Sequence, residues 1–436
     1  MDARVCSTAR GGQVAEKRDM LDELIDIQSD WQKVSNPLGD LAGQLADPSK
    51  ARVFNPADYK GRPRTNSIYC LNIASGRSNT CTRCLDVCPT QAIEMNVKTV
   101  KITDECRECG LCLSTCPTEA FQLPKIMSKQ LYDKIARLAS IYEQCYVTCT
   151  RALGRYPKDN EVVLPCVGVM TPELWFSLLV DYDNISVYLP VGICDRCQTV
   201  TGEEAYVNNI GQAEEWSGYE VGLEVDEANM THEQSRAYKR GQFVQNMARA
   251  GQTALMAGNP TLLGAKAVAE RIKRHTQRIN EMQRQLESAV GSKTSSNRKH
   301  ILTQGRKLML STIQTSPALA NVFDVKVPLC DTSLCSMCGD CVRACPLHAC
   351  DLDAGGHFSV QPAYCVSCGA CVQVCEDGAL WMESADPADL VVPDPNAAKT
   401  AEQRAMVQKA KAEGKAKLQK TLDMLGQMLE TSGDEG

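Results

Sequence analysis

Hydrophobic and polar positions alternate along this chain in two rhythms. The helical one comes first: Leu21, Leu24, Ile25 and Trp31 share a face over 14–34, and Pro37 and Gly39 end that helix. The polar, irregular run up to residue 65 reads as a strap over a neighbouring domain. Between 230 and 320 the pattern is mostly helical. Ala265, Ile272, Ile279 and Leu286 repeat every seven residues, with Val268, His275, Met282 and Ala289 three behind each. That short seam fits a coiled-coil hairpin or a helix laid against the cysteine-rich units of 66–125 and 326–385, with His275 as a polar notch in it. A last helix is expected over 399–430, where Leu418, Leu422, Leu425 and Leu429 form an apolar stripe beyond the linker ADPADLVVPDPNAAKT.

The second rhythm is that of strands. The segment AIEMNVKTVKITDE alternates as a small β-hairpin does. From 126 to 225 a helix over 126–144 leads into the short apolar runs YVTC, VVLPC and ISVYLP, with a helix opened by Thr171-Pro172-Glu173 between the last two. Apolar strands alternating with helices predict an α/β unit with a parallel sheet.

Composition changes this picture in two ways. The net charge of −6 conceals a basic segment: residues 231–310 carry 15 Lys and Arg against 4 Asp and Glu, which leaves the remainder at −17. Arg271, Lys273, Arg274, Arg278 and Arg284 fall largely off the seam. A solvated face is the default reading, with docking against the acidic remainder or an acidic partner next; nucleic acid is not favoured, for want of a recognition motif or interleaved aromatics. The second change is the 24 cysteines in 436 residues. They cluster as Cys-x2-Cys, no apolar leader follows the polar opening MDARVCSTARGGQ, and no apolar run approaches the roughly 18 residues of a membrane span. Metal-binding thiols in a reducing cytoplasm are the expectation.

The densest run reads Cys335-x2-Cys338-x2-Cys341-x3-Cys345-Pro346, then Cys365-x2-Cys368-x2-Cys371-x3-Cys375. Three thiolates two residues apart wrap one face of a cubane cluster, and the fourth turns to the neighbouring one. Cys335, Cys338, Cys341 and Cys375 thus form one ligand set, and Cys365, Cys368, Cys371 and Cys345 the other. The stretch resembles a bacterial-type ferredoxin with two [4Fe-4S] clusters, except that Glu376 replaces the usual proline. A related pattern stands earlier: Cys81-x2-Cys84-x3-Cys88-Pro89, then Cys106-x2-Cys109-x2-Cys112-x3-Cys116-Pro117. Its first run lacks a cysteine at Ser78, and Cys70, separated from Cys81 by the ten-residue loop LNIASGRSNT, is positioned to fold back and replace it at modest loop-closure cost. The expected sets are Cys70, Cys81, Cys84 and Cys116, and Cys106, Cys109, Cys112 and Cys88. The alternative is that Cys70 is a buried thiol beside a three-iron cluster.

In the α/β unit, Cys149 and Cys166 close their strands, while Cys194 and Cys197 lie in the turn after the third. Ligands collect at the carboxyl ends of strands in an open parallel sheet, so these four are expected to converge on a further metal site. With its Leu-Pro-Cys166-x-Gly168 and late Cys-x2-Cys, the unit is similar to the iron–sulfur delta subunit of methyl-viologen-reducing hydrogenases. It differs in that its extra cysteine, Cys145, precedes the first. That resemblance implies an electron relay beside a flavin or disulfide reductase partner, often through a [2Fe-2S] centre. A [4Fe-4S] cluster, structural zinc and a redox-active Cys194-x2-Cys197 dithiol are the alternatives. Cys6, Cys145, Cys330 and Cys350 are left over; Cys350 stands at an apolar position, as a small hydrophobe would, and Cys330 is a possible substitute ligand.

The expected fold is α+β and multidomain: an N-terminal helix and strap (1–65), a ferredoxin-like unit (66–125), the α/β unit (126–228), a basic helical segment (229–325), a second ferredoxin-like unit (326–385), and a linker with a C-terminal helix (386–436). No GxGxxG after a strand, P-loop or Ser/His/Asp set is present, so flavin, molybdopterin or nickel would belong to another subunit. The expected function is that of an anaerobic electron-transfer subunit. It would relay single electrons through four [4Fe-4S] clusters and a fifth centre to or from a catalytic partner: a flavoprotein, hydrogenase, molybdenum enzyme or disulfide reductase. A self-contained reductase with its active site in the central unit, and an iron–sulfur scaffold for assembly, are the alternatives.

Overall fold

The computed structural model describes residues 54–77, 80–235 and 261–392, with the side chains of 261–267 left aside. The helices expected over 14–34 and 399–430, and Cys6, lie outside the described residues. From Pro56 onward the chain forms one compact unit, with a mixed helix and strand architecture.

The first cysteine-rich region is built from very short elements: β1 (Arg64–Thr65), α1 (Leu71–Ser75), α2 (Arg83–Val87), β2 (Ile93–Met95), β3 (Val100–Ile102), α3 (Leu111–Thr115) and β4 (Phe121–Gln122). β2 and β3 form the expected hairpin, and β1 pairs antiparallel with β4, tying the end of the strap to the far side of the region.

Next come α4 (Ser128–Ile141), β5 (Cys145–Cys149), α5 (Thr150–Leu153), β6 (Glu161–Leu164), α6 (Pro172–Asp181), β7 (Ile185–Tyr188), α7 (Gly202–Ser217) and β8 (Gly222–Glu224). The four strands make a parallel sheet in the order β6-β5-β7-β8, with Val147 of β5 opposite Val162 and Val187. β6 and β7 are buried along their whole length and β5 nearly so. A parallel strand covered on both faces reads as a continuous apolar run, which is why YVTC, VVLP and ISVY show little alternation. α6 begins where expected: Thr171 caps it, accepting from the Leu174 amide at 3.3 Å, and Pro172 takes the first turn, where no amide bond is lost. Its Leu174, Trp175, Phe176 and Leu178 are fully buried. α7 and β8 had no clear signal in the sequence. α7 has a weakly amphipathic pattern, and β8 is a short edge strand whose Leu223 faces solvent.

α8 (Thr261–Val290) packs along α4 and α9 (Gln304–Thr315), and α9 packs on α6. The seven-residue seam is real, but its partners are α4 of the α/β unit and α9. Val268, His275, Ile279, Met282 and Leu286 are buried, Ile272 is half-buried, and Ala289 is exposed, since the contact ends before the helix does. His275 stacks on Tyr132 of α4 with ring centroids 4.1 Å apart, and burial pushes its imidazole down to about 3, so it sits there uncharged. Of the basic residues, Arg271 lies over the Tyr182 ring, Arg284 pairs with Glu281, and Lys273 and Arg274 are exposed.

The last region holds β9 (Lys326–Cys330), α10 (Asp340–Arg343), β10 (Cys350–Leu352), β11 (Phe358–Val360), α11 (Ala370–Gln373) and β12 (Leu380–Ser384). β9 pairs antiparallel with β12 and β10 with β11. Phe176, Trp216 and Phe323 stack edge to face and tilted, joining α6, α7 and the chain just before β9.

Candidate metal centres

The cysteine runs share one backbone grammar. In each full Cys-x2-Cys-x2-Cys run the residue before the second cysteine (Glu108, Met337, Ser367) and the one after it (Gly110, Gly339, Gly369) have positive φ. So does the third residue after each terminal cysteine: Gln91, Glu119, His348 and Gly378. Left-handed backbone at six non-glycine positions costs on the order of 1 kcal/mol each, and it serves to aim amides at sulfur. Glu108 N donates to Cys106 Sγ and Met337 N to Cys335 Sγ, both at 3.4 Å. Ala92, Ala120 and Ala349 donate to Cys88, Cys116 and Cys345 at 3.3 Å. Amides converging on sulfur suit thiolates, the form that binds iron.

The short first run departs from this grammar. Cys84 lies on the helical turn α2, and no positive φ flanks it. The fully buried Asn72 does the positioning instead: its Nδ2 donates to Cys81 O at 2.8 Å, and its Oδ1 accepts from Cys81 N at 3.0 Å. That amide clamp folds Cys70 and α1 back against Cys81. Burial, and after it the charges of Cys116, Cys81 and Cys70, push Cys84 up to about 12, so these four thiols share one place.

Four further sets each line a single cavity. Cys88, Cys106, Cys109 and Cys112 line one. Cys335, Cys338, Cys341 and Cys375 line another, joined by the leftover Cys330. Cys345, Cys365, Cys368 and Cys371 line a third, with the leftover Cys350 in its wall. Cys149, Cys166, Cys194 and Cys197 line the fourth, at the carboxyl ends of β5, β6 and β7, where the strand order turns from β5 to β6 on one side and to β7 on the other. Cys145 is buried at the start of β5, away from this edge, and burial pushes it up to about 12. Among the described residues no three His, Cys, Asp or Glu side chains stand close enough to hold one metal ion.

A family model of the LdpA Fe-S cluster-binding domain matches residues 78–126, and one of a 4Fe-4S dicluster domain matches 334–380. The chain carries two iron–sulfur-binding domains. They match different models rather than two copies of one, and Cys70 lies upstream of the first match. Neither match reaches the α/β unit. No curated protein and no solved structure matches the chain.

Neighbouring sulfur sets are linked in series. Burial, then the charges of Cys149, Cys109 and Cys197, push Cys166 up to about 12, which brings the α/β set beside Cys109. Arg107 and Gln198 join across the same boundary at 3.2 Å, and Ser114 Oγ donates to Gly168 O at 2.6 Å. Cys112 is pushed up by burial and by its neighbours, Cys84 among them. Thr118, two residues from Cys116, lines the cavity of Cys345, Cys365, Cys368 and Cys371. Cys371 in turn acts on Cys341, pushed up to about 12 by burial first. The far end of the series, Cys338, is exposed to solvent.

At the near end, α7 starts against the α/β set. A Cβ on Gly202 would come within 2.7 Å of Cys166 Sγ. Gly202→Ala is therefore expected to displace Cys166 and remove the metal or cluster of that set alone, leaving the iron of the two matched domains in place. Metal analysis of the purified variant, with its visible spectrum, checks this.

Proposed function

We propose that this chain is an electron-transfer subunit that relays single electrons between a catalytic redox partner and a second donor or acceptor. Bound iron–sulfur clusters would supply one-electron storage. Four [4Fe-4S] clusters would be held by Cys70, Cys81, Cys84 and Cys116; by Cys88, Cys106, Cys109 and Cys112; by Cys345, Cys365, Cys368 and Cys371; and by Cys335, Cys338, Cys341 and Cys375. Cys149, Cys166, Cys194 and Cys197 would hold a fifth centre.

The observation that supports this reading is the series of sulfur sets from Cys194 to Cys338, in which thiols of neighbouring sets act on one another or neighbouring regions share a cavity wall. A scaffold would need no such order. The protein's own groups hold the thiols in place: amides turned onto sulfur by left-handed backbone, and the Asn72 clamp on Cys81. The self-contained reductase is less well supported. An attacking dithiol works best with a thiol pKa near ambient pH, whereas burial and Glu203 push Cys194 up to about 11.

Anaerobic purification with iron, acid-labile sulfide and zinc analysis tests the proposal. Four cubanes require about 16 iron atoms, and the fifth centre about two to four more. Zinc in place of sulfide would overturn it, as would high turnover of a small substrate by the isolated chain.

A further inference from the structure

Arg306, on the first turn of α9, is buried to 7% exposure, and among the described residues no carboxylate stands within ion-pairing distance of it. Glu173 acts on it only from farther away. Its guanidinium instead grips the chain that carries Cys365. Nε donates to Ala363 O at 3.3 Å, and Nη2 donates to Pro362 O at 3.1 Å and to Cys365 O at 2.7 Å. Carbonyl oxygens satisfy its donors but leave its charge uncompensated, and a buried cation is retained only where a counter-charge stands nearby.

A second arginine holds the run that carries Cys345: Arg298 Nη1 donates to Val342 O at 2.9 Å, and its Nη2 reaches Cys345 O at 3.5 Å. Cys350, 2% exposed, stands in the wall of the cavity lined by Cys345, Cys365, Cys368 and Cys371, so its thiol borders the same space as those sulfurs. The corresponding positions after Cys88, Cys116 and Cys375 are Ile93, Phe121 and Leu380, which have no donor to offer. Thr90 and Thr118 place Oγ1 4.0 Å from Cys88 Sγ and 3.6 Å from Cys116 Sγ, but their hydroxyls also donate to Glu105 O at 2.9 Å and Tyr69 O at 2.6 Å. At the exposed end Arg343 reaches Cys338 O at 3.0 Å, but Asp340 neutralises it.

We infer that Arg306 and Cys350 are positioning residues that raise the reduction potential of the centre at Cys345, Cys365, Cys368 and Cys371, making it the place in the series where an electron rests. Adding an electron to an anionic cluster deepens its negative charge. A buried guanidinium beside the Cys365 run and an S–H group in the cavity wall both favour that state. This rests on the cluster reading, and it accounts for part of the basic segment, since two of its arginines serve one centre.

Anaerobic redox titration of the full chain followed by electron paramagnetic resonance tests it, with iron content measured in parallel. Arg306→Gln and Cys350→Val are each expected to move one midpoint to more negative potential and leave the others fixed. The shift should be at least about tenfold in the oxidised-to-reduced ratio, or ~59 mV for a one-electron couple. Arg306→Lys, which keeps the charge but loses the fork, should lie between Gln and wild type. Full iron with every midpoint unmoved in both variants would overturn the inference. If Arg306→Gln loses iron, Cys350→Val decides, because valine preserves the cavity wall; unmoved midpoints in that variant overturn it equally. A wild-type chain free of iron would instead overturn the cluster reading beneath it.

Discussion

On the proposed ligand sets, Cys70→Ala is expected to remove between one and four of the roughly 16 iron atoms that four cubanes would hold, by opening or emptying the set assigned to Cys70, Cys81, Cys84 and Cys116. The functional effect should exceed the chemical one. That set is where the series passes from Cys112 and Cys84 to the cavity lined by Thr118. Electrons supplied at the exposed Cys338 end should then still reduce the centres of 334–380, while those beside Cys109 and Cys166 fill much more slowly. Stopped-flow reduction followed at the cluster absorption separates the two phases. Uniform, wild-type kinetics in a variant shown to lack the Cys70 centre would contradict a series arrangement. Asn72→Ala should give the same phenotype in weaker form, since it removes the clamp and leaves the thiol.

The second large effect concerns folding. The elements of 64–122 and 326–384 are helices and strands of two to five residues, too short to nucleate or to enclose a core of their own. Their charged and left-handed positions cost free energy that the absent apolar area does not offset. Stripping iron with an oxidant and a chelator is therefore expected to melt both regions, as metal release does in other small metal-held domains. The parallel sheet should survive, with β5, β6 and β7 buried between helices and α6 contributing Trp175 and Phe176 to a continuous core. Amide hydrogen exchange reads this directly: protection lost around the cysteine loops and kept in Val147, Val162 and Val187. Retained protection of Cys106–Cys116 after complete iron loss would show that protein packing alone holds the loops. Arg306 sharpens the expectation, because losing the cluster would leave its buried charge without compensation.

Much of this was legible in the cysteine spacing. A thiol two residues from the next can reach only one centre, so the grouping within each run follows from covalent geometry. The Cys-Pro that ends a run announces the turn that sends its sulfur onward. The strands of the α/β unit were legible for a different reason, since burial on both faces demands uninterrupted apolar runs. Helix α6 announced its own start through Thr171 and Pro172. Cys350 left a trace as well: it stands where the other three runs carry hydrocarbon. Read as a small apolar residue, it proved buried as expected, yet its thiol also stands in the wall of a cavity lined by four other cysteines.

Other features had no local signal. Arg306 is one arginine among the 15 basic residues counted over 231–310, and nothing in its neighbours distinguishes it from the exposed Lys273 or Arg274. Its role comes from the docking of α9, whose first amides, at Gln304 and Gly305, donate to Glu119 at 2.9 Å. Glu119 belongs to one cysteine-rich region and Arg306 reaches into the other, so a single helix end links the two across more than 180 residues of sequence. The seam of α8 shows the same division. Its period predicted a buried stripe, but a stripe does not name its partner, and the partners proved to be α4 and α9.

By itself, then, the sequence determined how the thiols group within a run, which segments form three of the four strands of the parallel sheet, and that the chemistry is carried by sulfur. Each of these depends on neighbours a few residues apart, whose separation the backbone limits. The tertiary structure alone decided the order of the sulfur sets, the return of Cys70 under the Asn72 clamp, and the placing of Arg306 and Cys350 around one centre. Those depend on how faces of distant elements pack, and packing is a property of the whole core that no stretch of the chain contains.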